Sequence, residues 1–330
     1  MAEKTDLQTA GTKRKTSFEC CRAVCMLWIV AIWHGREYVY NLPWQLGAHV
    51  FSDITKGTLA TFVFISGYFL GKKKFEDRQS VLAFYRRRLS HLYLPFFVSC
   101  TLLLIMHAVW GTTYIRSFQQ YLLSLTGLAL FFPPAPATVW FVVFLLPCQV
   151  IAPFLVRSRN RVTACLFVYA CTVFITAALK QVWDIEADSR ILLYLPVFLV
   201  GICLPHAISE NVNIIRLLLS LLVITLLEAV GIHCNSPYRY ALIGSMIIAF
   251  LEFGKLLNSN PALAKTGEAI GSISLSAYLF HRQFFYLVWK IAGEKLSMAA
   301  MYLLVIPLFF AILYFGRPFV AAQRERRPAE

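Results

Sequence analysis

Apolar runs long enough to cross a lipid bilayer recur along almost the whole chain of 330 residues. A transmembrane helix needs about 20 mostly apolar residues. In lipid the backbone polar groups must be satisfied within the chain, which leaves helices and closed barrels. The pattern predicts an all-α polytopic membrane bundle of about ten transmembrane helices, at 18–34, 54–70, 89–110, 137–156, 162–179, 191–205, 214–232, 239–254, 272–290 and 297–316.

A shorter apolar run at 118–132 ends in a proline-rich segment, Pro133, Pro134 and Pro136. It is too short for a full span, and proline cannot continue a helix interior. We predict a re-entrant or interfacial helix there.

The composition excludes two other classes of protein. The chain is 58% hydrophobic and 15% charged, whereas soluble domains are about 45–50% apolar and about 25% charged. An ordinary water-soluble globule and a disordered chain are both excluded.

The net charge of +14 predicts the orientation of the chain. The basic residues lie between apolar runs and form no basic domain, so nucleic acid is not expected as a partner. With the N-terminus inside, most of the 31 Lys and Arg residues fall in cytoplasmic segments. The positive-inside rule therefore predicts cytoplasmic N- and C-termini in the cell (plasma or inner) membrane, with the bilayer itself as partner.

The same pattern divides the chain into three regions. We predict a disordered cytoplasmic tail at 1–17, a transmembrane domain at 18–316 and a basic cytoplasmic tail at 317–330. The nine cysteines form no CxxC pair and lie mostly in apolar runs, which indicates small buried hydrophobic residues. The sequence does not predict the oligomeric state.

Ionisable side chains inside predicted spans are the candidates for function, because a membrane penalises them. An arginine at a helix centre costs about 2.5–3.5 kcal/mol on insertion scales. Histidine can accept a proton from a hydroxyl near neutral pH, and arginine can bind a phosphate or an oxyanion. That combination of histidine and arginine suits acyl transfer from a thioester to an alcohol. The seven ionisable residues that stand out in the spans or at their ends are Arg22, His34, Arg88, His91, Glu228, His281 and Arg282.

Structural explanations for these residues stay open. His281 and Arg282 could pair only to hold the bundle together, and Arg22 could reach the cytoplasmic interface. Glu228 has no evident partner in the sequence. No HExxH, Walker or GxSxG pattern occurs, so a metal site, nucleotide hydrolysis and serine hydrolysis lack sequence support.

Five stretches together resemble the integral membrane enzymes of acyltransferase family 3. In order and spacing they are similar to the ten-span, stand-alone members that O-acylate surface polysaccharides. The stretches are Glu19-Cys-Cys-Arg22 through His34, Thr61 to Leu70 with Ser66-Gly67-Tyr68, Tyr85 to Pro95 with Arg88 and His91, Thr138-Val-Trp140-Phe141, and Ile273 to His281.

The resemblance implies acetyl-CoA or another acyl-CoA as donor, a cell-surface polysaccharide or lipid-linked glycan as acceptor, and no metal. It implies catalytic roles for His34 and Arg22, with His34 either general base or transient acyl carrier. It places the donor phosphates near Arg86, Arg88 and His91. The cavity would be lined by Ser66, Tyr68, Trp140, His281 and Arg282.

Several of these assignments have structural alternatives. The positive-inside rule alone could explain the basic cluster Arg86 to Arg88, and His34 could be an interfacial histidine at the external end of its span. The pair Ser66-Gly67 could serve tight helix packing. Trp140 could instead be an aromatic residue at the membrane interface.

Two departures from the family pattern matter. Twelve steps separate Arg22 from His34 where the family has eleven. At about 100° per residue, twelve steps leave side chains about 120° apart around the helix and about 18 Å apart along it. Either a π-bulge restores the alignment or the two groups line different walls of one cavity. The other departure is His91, which replaces the second arginine of an RxxR motif.

The same buried charges are compatible with two other functions. A transporter or flippase for a polysaccharide precursor would also line its path with buried charges, but no repeat symmetry is evident. The other large class of membrane-bound O-acyltransferases also uses an intramembrane histidine, although the SGY and RxxR-like segments argue against it.

Overall fold

The computed structural model describes residues 16–39, 48–205, 208–209, 211–233, 238–293 and 295–325, with backbone only at 48 and from 317 onward. These residues form helices and connecting segments, plus one isolated bridge pair between Val39 and Leu296.

The first helix, α1, covers 16–27 and continues as a π-helical segment, Trp28–His34, and a 3-10 turn, Gly35–Tyr38. Two further π-helical segments, Leu89–Tyr93 and Met301–Val305, lie between successive α-helices. The other helices are α2 (Ala48–Gly71), α3 (Arg78–Arg88), α4 (Leu94–Trp110), α5 (Phe118–Leu125), α6 (Trp140–Arg157), α7 (Arg161–Trp183), α8 (Arg190–Cys203), α9 (Ile214–Ala229), α10 (Arg239–Asn258), α11 (Pro261–Ser272), α12 (Ser274–Ala292), α13 (Met298–Ala300) and α14 (Ile306–Glu325).

Each of the ten predicted spans coincides with a helix, so the all-helical prediction is confirmed. Among the described residues, seven helices are long and apolar enough to cross a membrane: Thr16–Tyr38, His49–Gly71, Arg78–Trp110, Trp140–Arg157, Arg161–Trp183, Arg239–Asn258 and Met298–Gly316. The other three predicted spans fall on shorter or more polar helices. Helix α8 has 14 residues, α9 has 16, and α12 carries His281 and Arg282 in its interior.

The exposed apolar surface agrees with a lipid environment. Only 11% of the apolar window of α7 is buried, and Phe174 on that helix is 72% exposed. A soluble protein rarely exposes a continuous apolar face of that size. In a bilayer such a face contacts acyl chains.

The structure can be compared with the predicted tails and with the predicted re-entrant helix. Residues 1–15 and 326–330 lie outside the described residues. The last helix runs to Glu325, which is well into the segment predicted as a tail. In the run at 118–132 the helix α5 covers eight residues, Phe118–Leu125.

Side-chain caps fix where several helices begin. A capping residue accepts a hydrogen bond from a backbone N–H that the first helical turn leaves without a partner. Asp77 and Ser80 form a reciprocal capping box at α3, and these bonds lower the pKa of the exposed Asp77 carboxyl. The other capping side chains belong to Ser117, Asn160, Asn213, Asn260 and Ser297.

The chain divides into two compact units. The first contains the described residues up to Thr58 and those from 211 onward. In this unit the first turns of α1 pack closely on α10 and α11, because glycines of α10 and α11 face α1. A Cβ on Gly254 would lie 2.7 Å from the Cβ of Cys21, and one on Gly271 would meet the Glu19 backbone. Helix α12 packs against the π-helical segment of α1, α11 and α14.

The second unit is Leu59–Ser209. In it the second half of α2 packs on α8, again through glycines. A Cβ on Gly71 or Gly201 would come within 2.5 Å of a carbonyl oxygen of the opposite helix. Helix α8 also packs on α6 and α7. The eight described cysteines of the whole chain are free thiols, and six of them are buried.

Candidate active site

The first component of the site is His281, which is fully buried on the inner face of α12. The face arises because the buried positions Ser274, Tyr278, His281 and Phe285 follow helical spacing. The Nδ1 atom of His281 lies 2.8 Å from the Tyr278 carbonyl oxygen. A carbonyl only accepts, so Nδ1 carries the proton of the neutral ring and Nε2 carries the lone pair. That buried Nε2 has no hydrogen-bond partner among the described residues.

The second component is His34, the last residue of the π-helical segment. Its ring stacks on that of His281, with centroids 4.8 Å apart and planes inclined by 30°. Its Nδ1 lies 3.2 Å from Oε1 of Glu37. When Nδ1–H donates to this carboxylate, Nε2 of His34 also carries a lone pair. Two imidazoles of this kind therefore lie face to face.

The third component is an ion pair between Glu37 and Arg282. Arg282 Nη2 donates to Glu37 Oε1 at 2.9 Å, and Nη1 donates to Oε2. Such two-pronged contacts fix geometry and are stronger than neutral hydrogen bonds. The Arg282 charge, which is buried inside a helical span, is thereby balanced. Glu37 joins His34 to Arg282, because both contact its carboxylate.

Arg22 is placed earlier on the same helix. Its Nη1 donates to Oε1 of Glu19 at 2.8 Å, and its side chain is partly exposed. The π-helical segment Trp28–His34 lies between Arg22 and His34. Hydrogen bonds in a π-helix run from i to i+5, so each turn holds an extra residue. The structure therefore contains the π-bulge expected as one of two possibilities, and the bulge moves His34 back toward the face of Arg22.

The residues predicted to line the cavity divide between the two units. His281 and Arg282 belong to the first, while Ser66, Tyr68 and Trp140 belong to the second. Ser66 donates to the Phe62 carbonyl within its own helix. Tyr68 is fully buried, and Lys72 Nζ lies 4.5 Å above its ring. The neighbouring Gly67 packs against the α8 backbone, so helix packing accounts for part of the SGY stretch.

Trp140 is buried at the first position of α6. Its ring lies 5.3 Å from that of Tyr194, and the Arg190 guanidinium lies 4.4 Å above it. The cation–aromatic contact and the burial give this residue a fixed orientation.

The predicted donor-phosphate residues lie where α3 passes into a π-helical segment. Arg86 and His91 are exposed, and Arg88 is half-buried over the Phe84 ring at 5.5 Å. A groove of about 460 Å³ opens beside α3. It is lined by Arg78, Val81, Leu82, Tyr85, Pro153, Phe154 and Arg157.

Sequence reasoning missed Glu37. A signal was present, because Glu37 follows His34 by three residues, a spacing that brings side chains together on a helix. The helix was predicted to end at 34, and this placed Glu37 in a loop. The structure continues the helical chain to Tyr38.

Comparison with known proteins gives one match. The model of acyltransferase family 3, described as an acyltransferase domain, matches residues 15–316. Comparison with curated proteins found no match, and comparison with solved structures found none. The matched segment contains every residue of the site described above. The chain therefore belongs to acyltransferase family 3 and is a multi-pass membrane acyltransferase.

Proposed function

We propose that the protein transfers an acyl group, acetyl in the first instance, from acyl-CoA to a hydroxyl of a cell-surface polysaccharide or lipid-linked glycan. The observation that carries the proposal is the arrangement of His34. Its ring is oriented by Glu37 and stacked on His281, with the lone pair left on Nε2. This is the arrangement that a general base for a hydroxyl requires.

In the proposed reaction His34 Nε2 accepts the proton of the sugar hydroxyl while the hydroxyl oxygen attacks the thioester carbonyl. A C–O bond forms, the C–S bond breaks, and the proton passes to the leaving thiolate, which gives free CoA. The Glu37 carboxylate stabilises the imidazolium that forms on His34, as the acidic member of a catalytic triad does. Arg282 holds the carboxylate in position.

A second course for the same step has His34 carry the acyl group. Nε2 would attack the thioester carbonyl, the C–S bond would break, and the CoA thiolate would take up the Nδ1 proton, which leaves an acyl-imidazole. The sugar hydroxyl would then attack this acyl group, the C–N bond would break, and the hydroxyl proton would return to the ring. Rapid quenching of the protein with acyl-CoA and no acceptor distinguishes the two. A mass increase of one acyl group on the α1 peptide indicates the carrier, and an unchanged mass indicates the base.

We propose that the acyl-CoA donor binds at the other stretches that resemble the family. Its phosphates would contact Arg86 and Arg88, with His91 contributing when protonated. The exposure of Arg86 and His91 supports access by a soluble cofactor. Arg22 would contact the pantetheine arm, and Ser66, Tyr68 and Trp140 would line the cavity.

We further propose ten spans with both termini cytoplasmic, in the plasma or inner membrane. Seven spans are supported by helix length and hydropathy. The bias of Lys and Arg between alternate loops supports the orientation.

The test is His34→Ala expressed in cells that lack the wild-type gene. Loss of a general base typically costs about 10²–10⁴-fold in rate. Mass analysis of the surface glycan should show unacylated chains in normal amount, with the variant present in the membrane. His107→Ala is the matched control, because His107 contacts the Thr112 carbonyl oxygen and is not part of the candidate site.

Two outcomes count against the proposal. Normal acylation with His34→Ala would remove the catalytic role of this residue. Loss of the glycan from the surface with acylation intact on what remains would favour a transporter.

A further inference from the structure

A second group of ionisable side chains lies in the first unit, apart from the residues used above. Asp53 is on the second turn of α2, Glu228 is at the end of α9, and His233 follows α9. Asp53 is almost fully buried, Glu228 is mostly buried, and His233 is partly exposed. The sequence alone gave Glu228 no partner, and the structure supplies two.

The donor atoms of these three side chains converge on one point. His233 Nδ1 lies 3.1 Å from Asp53 Oδ2 and also 3.1 Å from Glu228 Oε2. All three atoms lie within 4.8 Å of one another. Ligand atoms that are each about 2.0–2.2 Å from one zinc ion lie about 3.0–3.5 Å from each other at ordinary coordination angles. The two distances from His233 Nδ1, 3.1 Å each, fall within that range.

Hydrogen bonding leaves part of the cluster unsatisfied. One Nδ1–H can donate fully to only one of the two carboxylates it faces. The other oxygen of Glu228, Oε1, is buried and has no hydrogen-bond partner among the described residues. A buried acceptor without a partner costs about 1–3 kcal/mol. A cation between the three groups would contact both carboxylates at once.

The surroundings suit a divalent ion. Lys56 Nζ lies 3.5 Å from Asp53 Oδ1, so the ammonium faces the opposite oxygen from the one that faces the cluster. The His49 ring stacks on that of His233 with centroids 5.2 Å apart, which brings a second imidazole close to the cluster. A donor set of one imidazole and two carboxylates is typical of zinc and its neighbours rather than of calcium or magnesium.

We propose that Asp53, Glu228 and His233 form a binding site for a divalent transition-metal ion of the Zn²⁺ class. The ion would connect the start of α2 to the end of α9. The site does not include the candidate acyl-transfer residues, and the proposal does not depend on that reaction. This proposal differs from the sequence-based expectation of no metal. The sequence does not reveal the site, because the three ligands are separated by up to 180 residues and form no motif.

The test uses the full-length protein purified in detergent with a tag that contains no histidine. The protein is incubated with Zn²⁺ and exchanged into buffer from which a chelating resin has removed free metal. The bound metal is then measured by inductively coupled plasma mass spectrometry. The wild type should retain about one ion per chain with micromolar affinity or better. His233→Ala and Asp53→Asn should each bind at least tenfold more weakly, because a ligand is lost. Zn²⁺ should raise the apparent Tm of the wild type but not of Asp53→Asn.

Matched controls separate the site from other histidines and carboxylates. His107→Ala and Asp188→Asn alter the same residue types elsewhere and should bind as the wild type does. If His233→Ala does not accumulate in the membrane, the metal bound by Glu228→Gln and the number of ions bound per wild-type chain test the proposal instead. Wild-type protein that retains no ion overturns the proposal, and so do ligand variants that retain as much as the controls. The three side chains would then be joined by hydrogen bonds alone.

Discussion

At the scale of single residues, the ion pair of Arg282 and Glu37 determines which substitutions leave the site intact. A guanidinium inside a span is stable only with a partner, and Glu37 is that partner. The same carboxylate orients His34. One acidic residue thus has both a structural and a chemical role.

We expect Glu37→Gln to lower both stability and activity. The amide keeps the shape but removes the carboxylate charge that Arg282 contacts, and breaking a buried ion pair costs up to about 3–5 kcal/mol. Because Glu37 is 43% exposed, water offsets part of this cost. The apparent Tm in detergent should fall, and acyl transfer should fall at least tenfold. Glu76→Gln, at an exposed loop position, is the control. An unchanged rate would remove the orienting role of Glu37.

His281 poses a different question, since its ring could serve packing alone. His281→Phe keeps an aromatic ring against His34 but removes both nitrogens. We expect normal accumulation and apparent Tm with a loss of acyl transfer, because the buried Nε2 is the group that the variant lacks. Full activity of His281→Phe, measured with purified protein and acyl-CoA, would show that the ring only packs.

At the scale of helices, the π-helical segment of α1 accommodates the additional residue between Arg22 and His34. Removing one residue from Trp28–His34 should convert it to a regular α-helix with the spacing usual in the family. We expect deletion of Ala31 to retain activity. Insertion of one alanine after Ala31 should abolish it, because His34 rotates by about 100°. Equal loss of activity in both variants, at equal membrane levels, would contradict this reasoning.

Close helix packing makes a second prediction at this scale. Gly271 faces the backbone of Glu19, so an added methyl group forces the helices apart. We expect Gly271→Ala to cost about 1–3 kcal/mol, the usual range for overpacking. Gly244→Ala is the matched control, because a Cβ there meets nothing within 4 Å. It should be neutral or stabilising by up to about 1 kcal/mol, since alanine favours helices. The apparent Tm of the two variants checks the difference.

The helices themselves were largely predictable, because apolar runs of spanning length leave few alternatives to a helix. The sequence could not decide between a π-bulge and two separate walls for Arg22 and His34. Nothing in the residues Trp28 to His34 marks a change of hydrogen-bond pattern, and the segment also contacts α12, which is distant in the sequence.

At the scale of the whole molecule, the distribution of basic residues predicts the orientation. A cysteine in place of Lys74 should react with a membrane-impermeant maleimide only from the cytoplasmic side. One in place of Thr113 should react only from outside. Intact cells and inside-out vesicles provide the two conditions, and the unsubstituted chain is the control because most described thiols are buried. Labelling of both positions from one side would contradict the ten-span topology.

The candidate site was predictable in part. His34, His281 and Arg282 were visible as ionisable residues in apolar runs. The cluster of Asp53, Glu228 and His233 was not, since only tertiary packing brings Asp53 to the other two. Glu37 was missed although it follows His34 by three residues, because its second partner, Arg282, is distant in the sequence. The ion pair of Glu37 and Arg282 joins residues 245 positions apart.

That separation has a consequence for biosynthesis. The first unit is assembled from both ends of the chain, so ribosomes must translate more than four fifths of the sequence before Arg282 can reach Glu37. During this interval α1 enters the membrane with a carboxylate whose cation has yet to be synthesised. Nascent chains that stop before α12 should be recognised as unfinished by membrane proteases, and pulse–chase turnover of truncated chains should show it.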